Sequence, residues 1–303
     1  MLFNAYNELN KNLAATKLVG NGYTILEYKC PIEVDKLQVL LEQHFITYVI
    51  SGKKDWIAGD KTVQINAGDA IFLRKGVYTI NQYFDVDHCV LVFFLQDEFI
   101  CNFLRENSAH ATPGIEGRSV DDQIFRLEVD DALQSLFYSI YSYLNKGAEI
   151  PRNLVELKFK ELLFNIVLNQ KHKKLTQFLT SLNLTTKATL DDVMMKNFQH
   201  DLELDEFARL CGRSLSSFKR DFKNVYRQTP GKWLSDKRLE YACALLVSAD
   251  LNVNEIAFES GFRNSSHFNK IFKEKYQVTP KQFRGMRKHN VVEGEPQVRS
   301  NLS

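Results

Sequence analysis

An α+β chain of two domains is predicted: a small β-rich barrel or sandwich followed by helices, then an all-α domain with two helix-turn-helix motifs. Three observations carry this prediction. A helical unit occurs twice between Leu204 and Arg284, short strand-like runs follow one another from Tyr23 to Phe94, and the net charge of +2 is unevenly spread. At 303 residues the chain is long enough for two cores. An apolar content of 44% and a charged content of 25% are those of an ordinary globular protein.

The repeat comes first because it organises the rest. At an offset of fifty, Ser216, Phe218, Phe222, Lys223, Tyr226, Thr229 and Pro230 fall on Ser266, Phe268, Phe272, Lys273, Tyr276, Thr279 and Pro280. Upstream the offset is forty-nine, so Leu204, Glu206, Phe207, Ala208 and Gly212 fall on Val253, Glu255, Ile256, Ala257 and Gly261. Each copy reads as a short helix, a glycine turn and a second helix. In that second helix the rings recur every four residues and share one buried face. Ala208 or Ala257 lets the two helices approach, which is the arrangement whose second helix can lie in a DNA major groove.

Between the buried rings the outward positions are almost free of acids. The first copy presents Ser216, Ser217, Lys219, Arg220 and Lys223, with Asp221 and Asn224 to one side. The second presents Ser265, Ser266, His267, Asn269, Lys270 and Lys273, interrupted only by Glu274. These are donors and cations of the kind that meet base edges and phosphates. Charge agrees: residues 187–288 carry 19 Lys and Arg against 13 Asp and Glu, a net +6, whereas residues 1–186 carry 19 against 22, a net −3. The C-terminal part is the one suited to a polyanion.

The segments ArgSerLeuSerSerPheLysArgAspPheLys (213–223) and GlyPheArgAsnSerSerHisPheAsnLysIlePheLys (261–273), followed by ThrProLysGlnPheArg (279–284), resemble the paired helix-turn-helix domain of the AraC/XylS family of bacterial transcription regulators. The sequence departs from the family pattern at His267, where Tyr is usual, and at Arg227, where Gly is frequent. By match to that pattern, Ser216, Lys219 and Arg220, with Ser266, Asn269 and Lys270, are expected to contact bases. Lys223, Lys232, Lys273 and Arg284 are assigned to phosphates. Arg220 is the best candidate for a guanine, because a guanidinium spans O6 and N7 together.

Upstream, strands are expected at Tyr23 to Tyr28, Leu37 to Leu41, Phe45 to Ser51, Asp55 to Ala58, Thr62 to Ile65, Ala70 to Leu73, Tyr78 to Gln82 and His88 to Phe94. Turn signals such as SerGlyLys (51–53) and AlaGlyAsp (67–69) separate them. The run 62–73 resembles the strand, Gly-Asp turn and strand of cupin barrels. Tyr48, Trp56, Phe72, Tyr78 and Tyr83 are large enough to line a ligand cavity or to be plain core. Neither ligand-binding nor catalytic residues are assigned. His44 and His88 stand forty-four residues apart with no His-X-His, so no metal and no cofactor is expected.

A short helix is expected near Asp97 to Asn107. A second, Asp131 to Asn145, has one apolar stripe of Leu133, Leu136, Phe137, Ile140 and Leu144. A third, Asn153 to Gln170, has two: Val155, Phe159, Leu162 and Ile166 on one side, Leu154, Leu157, Phe164 and Leu168 on another. The second stripe either pairs with another protomer or is sandwiched within its own chain. The domains then read as 1–175 regulatory and dimerising, 176–187 linker, 188–288 DNA-binding and 289–303 disordered tail. The linker prediction rests on the polar run SerLeuAsnLeuThrThrLys (181–187), and Leu190 to Asn197 opens the second domain with Val193 and Met194 inward. A long helix from Gly231 to Ser248 is expected to fix one recognition helix relative to the other.

Five scattered cysteines, Cys30, Cys89, Cys101, Cys211 and Cys243, fit a reduced cytoplasmic setting. Neither a membrane span nor a signal peptide is read. The chain is therefore expected to be a non-enzymatic, sequence-specific transcription regulator that binds double-stranded DNA. Its expected partners are a second copy of itself, RNA polymerase, and a small-molecule effector or regulatory protein. The competing readings are a cupin metalloenzyme fused to a DNA-targeting module, and a helical module whose basic face binds an acidic protein.

Overall fold

Strand β10 (Cys89–Leu95) is buried along its whole length, and that follows from having two apolar layers to satisfy. Its Val90, Val92 and Phe94 enter one core and its Leu91, Phe93 and Leu95 another. A strand covered on both faces reads as a continuous apolar run, which CysValLeuValPhePheLeu is. The computed structural model describes residues 2–11, 16–29, 36–83, 88–107, 122–145, 150–183 and 186–285. Within these the chain divides into two units, Met1–Thr189 and Leu190–Ser303.

In the first unit the order is β1 (Leu2–Asn4), α1 (Ala5–Lys11), β2 (Lys17–Gly20), β3 (Tyr23–Lys29), β4 (Lys36–Leu41), β5 (His44–Ser51), β6 (Lys53–Ala58), β7 (Lys61–Asn66), β8 (Ala70–Leu73), β9 (Gly76–Gln82), β10, α2 (Asp97–Glu106), β11 (Ile124–Leu127), α3 (Asp131–Asn145), α4 (Arg152–Leu168) and α5 (Lys173–Thr180). The strands form two sheets rather than one closed ring, in the orders β1-β4-β9-β6-β7 and β11-β8-β5-β10-β3-β2. Among the described strands only the β1 to β4 pairing is parallel. Between the sheets lie Leu26, Val39, Phe45, Trp56, Ile71, Tyr78, Val92 and Phe94. The outer face of the six-stranded sheet is covered by the helices through Tyr48, Phe72, Phe93, Phe137 and Phe159.

All eight expected strands are present, with ends moved by at most two residues. The sequence did not reveal β1, β2 and β11, short strands that owe their existence to distant partners such as Gln38 for Leu2, nor α1, a helix of two turns. The expected linker needs correction in its first half. Residues 173–180 form α5, whose Leu175, Phe178 and Leu179 are buried in the helical layer of the first unit. An apolar stripe of one turn is too short to stand out from the charged run before it. The side chains of 183–189, the expected tail 289–303 and Cys30 lie outside the described residues.

Helix α4 resolves its two stripes differently. Val155, Phe159, Leu162 and Ile166 are buried. On the other side Leu157 is 61% exposed and Leu168 56%. Phe164 is half-buried, its ring 4.8 Å from Phe103. An open groove of about 670 Å³ runs along Leu157, Phe164 and Leu168.

The second unit contains α6 (Thr186–Asn197), α7 (Leu204–Leu210), α8 (Leu215–Tyr226), α9 (Pro230–Ser248), α10 (Val253–Glu259) and α11 (Ser265–Tyr276), then a helical turn over 280–285. The repeat extends further than the sequence match shows, since Trp233 and Phe283, also fifty apart, fill equivalent places. Trp233 meets Phe222 at 6.1 Å and Tyr226 at 5.9 Å, and Phe283 meets Phe272 at 5.6 Å and Tyr276 at 5.9 Å. Trp233 is buried and Phe283 half-buried, and each closes its ring cluster from the same side. Both recognition helices end on a left-handed residue, Arg227 (φ 56°) and Gln277 (φ 60°). Glycine is the usual occupant there, so the departure noted at Arg227 puts a side chain where the backbone favours glycine.

Candidate nucleic-acid interface

Helices α8 and α11 are started by side-chain caps and held by their rings. Ser214 Oγ accepts the Ser217 N–H at 3.3 Å, and Asn264 Oδ1 accepts those of Ser266 and His267 at 2.7 and 3.2 Å. Such caps satisfy donors that a helix start leaves unpaired. Phe218, Phe222, Phe268 and Phe272 are fully buried, which fixes the rotation of each helix. Positions three, four and seven apart lie on one face. Ser216, Lys219, Arg220 and Lys223 are consequently all exposed together on α8, as are Ser266, Asn269, Lys270 and Lys273 on α11.

Lys232, at the start of α9, is exposed as well. Arg284 differs: it is half-buried, and its Nη2 donates to the Leu251 carbonyl at 2.7 Å. Its first task is to hold the second motif together, whatever it does at a phosphate. Arg220 is 71% exposed and tethered on two sides, donating from Nη2 to Ser217 Oγ at 3.2 Å and from Nε to Asp221 Oδ1 at 3.3 Å. Asp221 also accepts Arg213 Nε at 3.2 Å. An Arg and an Asp eight residues apart carry no sequence signal, so this link was not legible beforehand.

A second group the sequence did not single out joins the two motifs. Arg238 on α9 donates to the carbonyls of Phe198 and His200 at 2.7 and 2.8 Å. Arg263, in the second turn, pairs with Asp201 and Glu203. Gly261 sits between them with φ +87°, and a Cβ there would meet the Gln199 carbonyl oxygen at 2.8 Å. The loop before α7 is thus clasped by α9 and by the turn between α10 and α11. Burial, and then the Arg238 charge, push the His200 imidazole down to about 4 from the usual 6.5.

In the first unit the five aromatic candidates divide. Trp56 and Tyr78 face the sandwich interior, Tyr48 and Phe72 face the helices, and Tyr83, just after β9, is half-buried with its hydroxyl donating to Asp55 at 2.8 Å. The interior cavity, lined by Phe3, Leu9, Lys54, Trp56 and His88, measures about 40 Å³. That is room for about one water, against roughly 300–1,000 Å³ for a small-molecule site. His44 packs between Phe72 and Phe178 on the helical side, so it and His88 face different compartments. Among the described residues no group of three His, Cys, Asp or Glu could hold a metal ion. Cys89, Cys101 and Cys211 are buried free thiols and Cys243 is half-buried. No helix among the described residues is long and apolar enough to cross a membrane.

Two tandem motifs with exposed cationic recognition helices define a protein that binds double-stranded DNA. The comparisons with known proteins agree. Residues 44–178 match the family described as the ExsA N-terminal regulatory domain and residues 207–286 a helix-turn-helix domain. The virulence regulon transcriptional activator VirF of Yersinia enterocolitica is 25% identical over 237 residues, spanning 78% of this chain and 87% of its own. The transcriptional regulator ExsA of Pseudomonas aeruginosa is 26% identical over 225 residues, 74% of this chain and 80% of its own. Of solved structures, ToxT from Vibrio cholerae aligns with a TM-score of 0.41 at 14% identity, over 88% of this chain and 99% of that one. The chain belongs to the AraC/XylS family, and it is a DNA-binding transcription regulator with an N-terminal regulatory domain.

The His200 shift sets a pH dependence. Because the unfolded histidine takes up its proton near 6.5 and the folded one only near 4, the stability contributed by the neutral ring is complete above about pH 6.5. It is lost as the pH falls through 4. Unfolding by urea, followed through Trp233 fluorescence in a Trp56→Phe background, is expected to show a falling midpoint over that window. The fall should be shallower in His200→Gln, and an unchanged slope would contradict the assignment.

Proposed function

We infer that the two recognition helices enter successive major grooves on one face of the duplex and divide the work of recognition. Ser216, Lys219 and Arg220 from α8, and Ser266, Asn269 and Lys270 from α11, contact base edges. Lys223, Lys232 and Lys273 contact phosphates, joined by the part of Arg284 left to solvent. The observation that carries this reading is the coincidence, on both helices, of buried rings behind and an exposed cationic row in front. The regulator works in the cytoplasm on promoters, with RNA polymerase as the partner whose action it alters.

The regulatory domain biases this activity by sensing a small-molecule effector or a regulatory protein, and by forming a homodimer through the second stripe of α4. Supporting the dimer, Leu157 and Leu168 stand exposed beside a groove of about 670 Å³. Among the described residues the sandwich cavity measures about 40 Å³, below the roughly 300–1,000 Å³ of a small-molecule site, so an organic effector would have to enlarge it. An enzymatic reading has no observation in its favour.

Selection of bound sites from a random DNA pool tests the reading: the chain is expected to enrich one sequence. On that site Arg220→Ala is expected to cost about 1–3 kcal/mol and to relax the preference at one base pair. Equal losses on cognate and random duplexes would move Arg220 to the phosphate set. Lys273→Ala is expected to weaken all duplexes alike and to reduce the slope of log affinity against log salt by about 1; an unaltered slope removes it from the phosphates. Sedimentation at micromolar concentration is expected to show a dimer that Leu157→Glu dissociates, and a wild-type monomer would exclude that interface.

A further inference from the structure

The two recognition helices are not equivalent in how they hold their central cation. On α8, Asp221 stands between Arg213 and Arg220, its side chain 22% exposed. One carboxylate oxygen accepts Arg220 Nε at 3.3 Å and the other Arg213 Nε at 3.2 Å. Arg213 is fixed in turn by the Cys211 carbonyl, 3.2 Å from its Nη1. A connected path therefore runs from the backbone of the turn to the reading face. Fifty residues on, the same positions hold Lys270 and Ile271, and Ile271 is packed against the core of the second motif.

The geometry points to Asp221 as a positioning residue that fixes the Arg220 guanidinium for guanine, making the first recognition helix the sharper discriminator of the two. This rests on the reading that Arg220 meets a base edge. An exposed arginine samples many rotamers, and one that becomes ordered only on docking gives up that freedom as it binds. An arginine already held by Asp221 and Ser217 has less to lose. With Nε engaged by the carboxylate, Nη1 and the remaining Nη2 hydrogen stay available for O6 and N7, which a lysine cannot address as a fork.

Charge alone argues the other way. A carboxylate beside the duplex repels phosphates, so its removal should tighten binding to any DNA. Positioning and simple repulsion thus give opposite signs on the cognate site.

The full-length chain is titrated with its selected duplex, with the same duplex changed at the base pair read by Arg220, and with an unrelated duplex. Asp221→Asn is expected to weaken the cognate complex about three- to tenfold, to reduce the preference over the changed duplex by the same factor, and to leave unrelated DNA bound equally or more tightly. In an Arg220→Ala background it is expected to cost no further preference. A uniform gain on all three duplexes, or the same loss in both backgrounds, overturns the proposal. Arg213→Gln, which removes the inner partner alone, is expected to keep most of the preference. If it abolishes preference as fully as Asp221→Asn and lowers the melting temperature equally, the carboxylate acts through the turn and the proposal fails. Loss of preference in Arg220→Ala with none in Asp221→Asn overturns the positioning role only. An unaltered preference in Arg220→Ala removes the base-reading assignment and this inference with it.

Discussion

Everything in the DNA-binding unit depends on α9 having one end in each core. Near its start Trp233 closes the ring cluster of Phe222 and Tyr226, and further along Leu239, Ala242 and Leu246 belong to the cluster of Phe268 and Phe272. Neither recognition helix can turn about its own axis without moving rings that α9 holds. Aromatic side chains packed at interior density do not slide, because a gap of even a fraction of an ångström loses much of the contact energy. Thr229 and Pro230 set the start of this connector: the hydroxyl caps Lys232 N–H and the proline takes a position where a missing donor costs nothing.

The clasp around residues 198–203 adds a second tie between the motifs. Arg238 supplies two bonds to backbone carbonyls, and Arg263 lends charge complementarity on the more exposed side. Exposed ion pairs contribute little stability on their own, about 0–1 kcal/mol. Their effect here is on register, since Gly261 admits no side chain between them. The regulatory domain answers a different demand. Its six-stranded sheet has an apolar layer on either side, while the second apolar stripe of α4 keeps Leu157 and Leu168 exposed.

Much of this was legible in the sequence where a period or a repeat carried it. Ring spacing gave the buried faces of α8 and α11, and the eight principal strands followed from β-rich runs between turn signals. All six residues assigned to bases lie on exposed faces, where the spacing of the rings puts them. What escaped was set by long-range contact. The short strands β1, β2 and β11 exist through their partners. The division of Tyr48 and Phe72 from Trp56 and Tyr78 needs the sheets. The Arg213, Asp221 and Arg220 path, the clasp of Arg238 and Arg263, and the anchoring of Arg284 on Leu251 join residues with no periodic relation.

The central claim is that two cationic helices, locked in phase by α9, dock along one face of a duplex. A hydroxyl-radical footprint on the selected site tests it most directly, read with and without five base pairs inserted between the contacted tracts. The account predicts two protected tracts about one helical turn apart, roughly 10 base pairs, and loss of one of them when the insertion rotates it to the far side. Two tracts that remain protected despite the half-turn insertion would show that the helices move independently, and would contradict it.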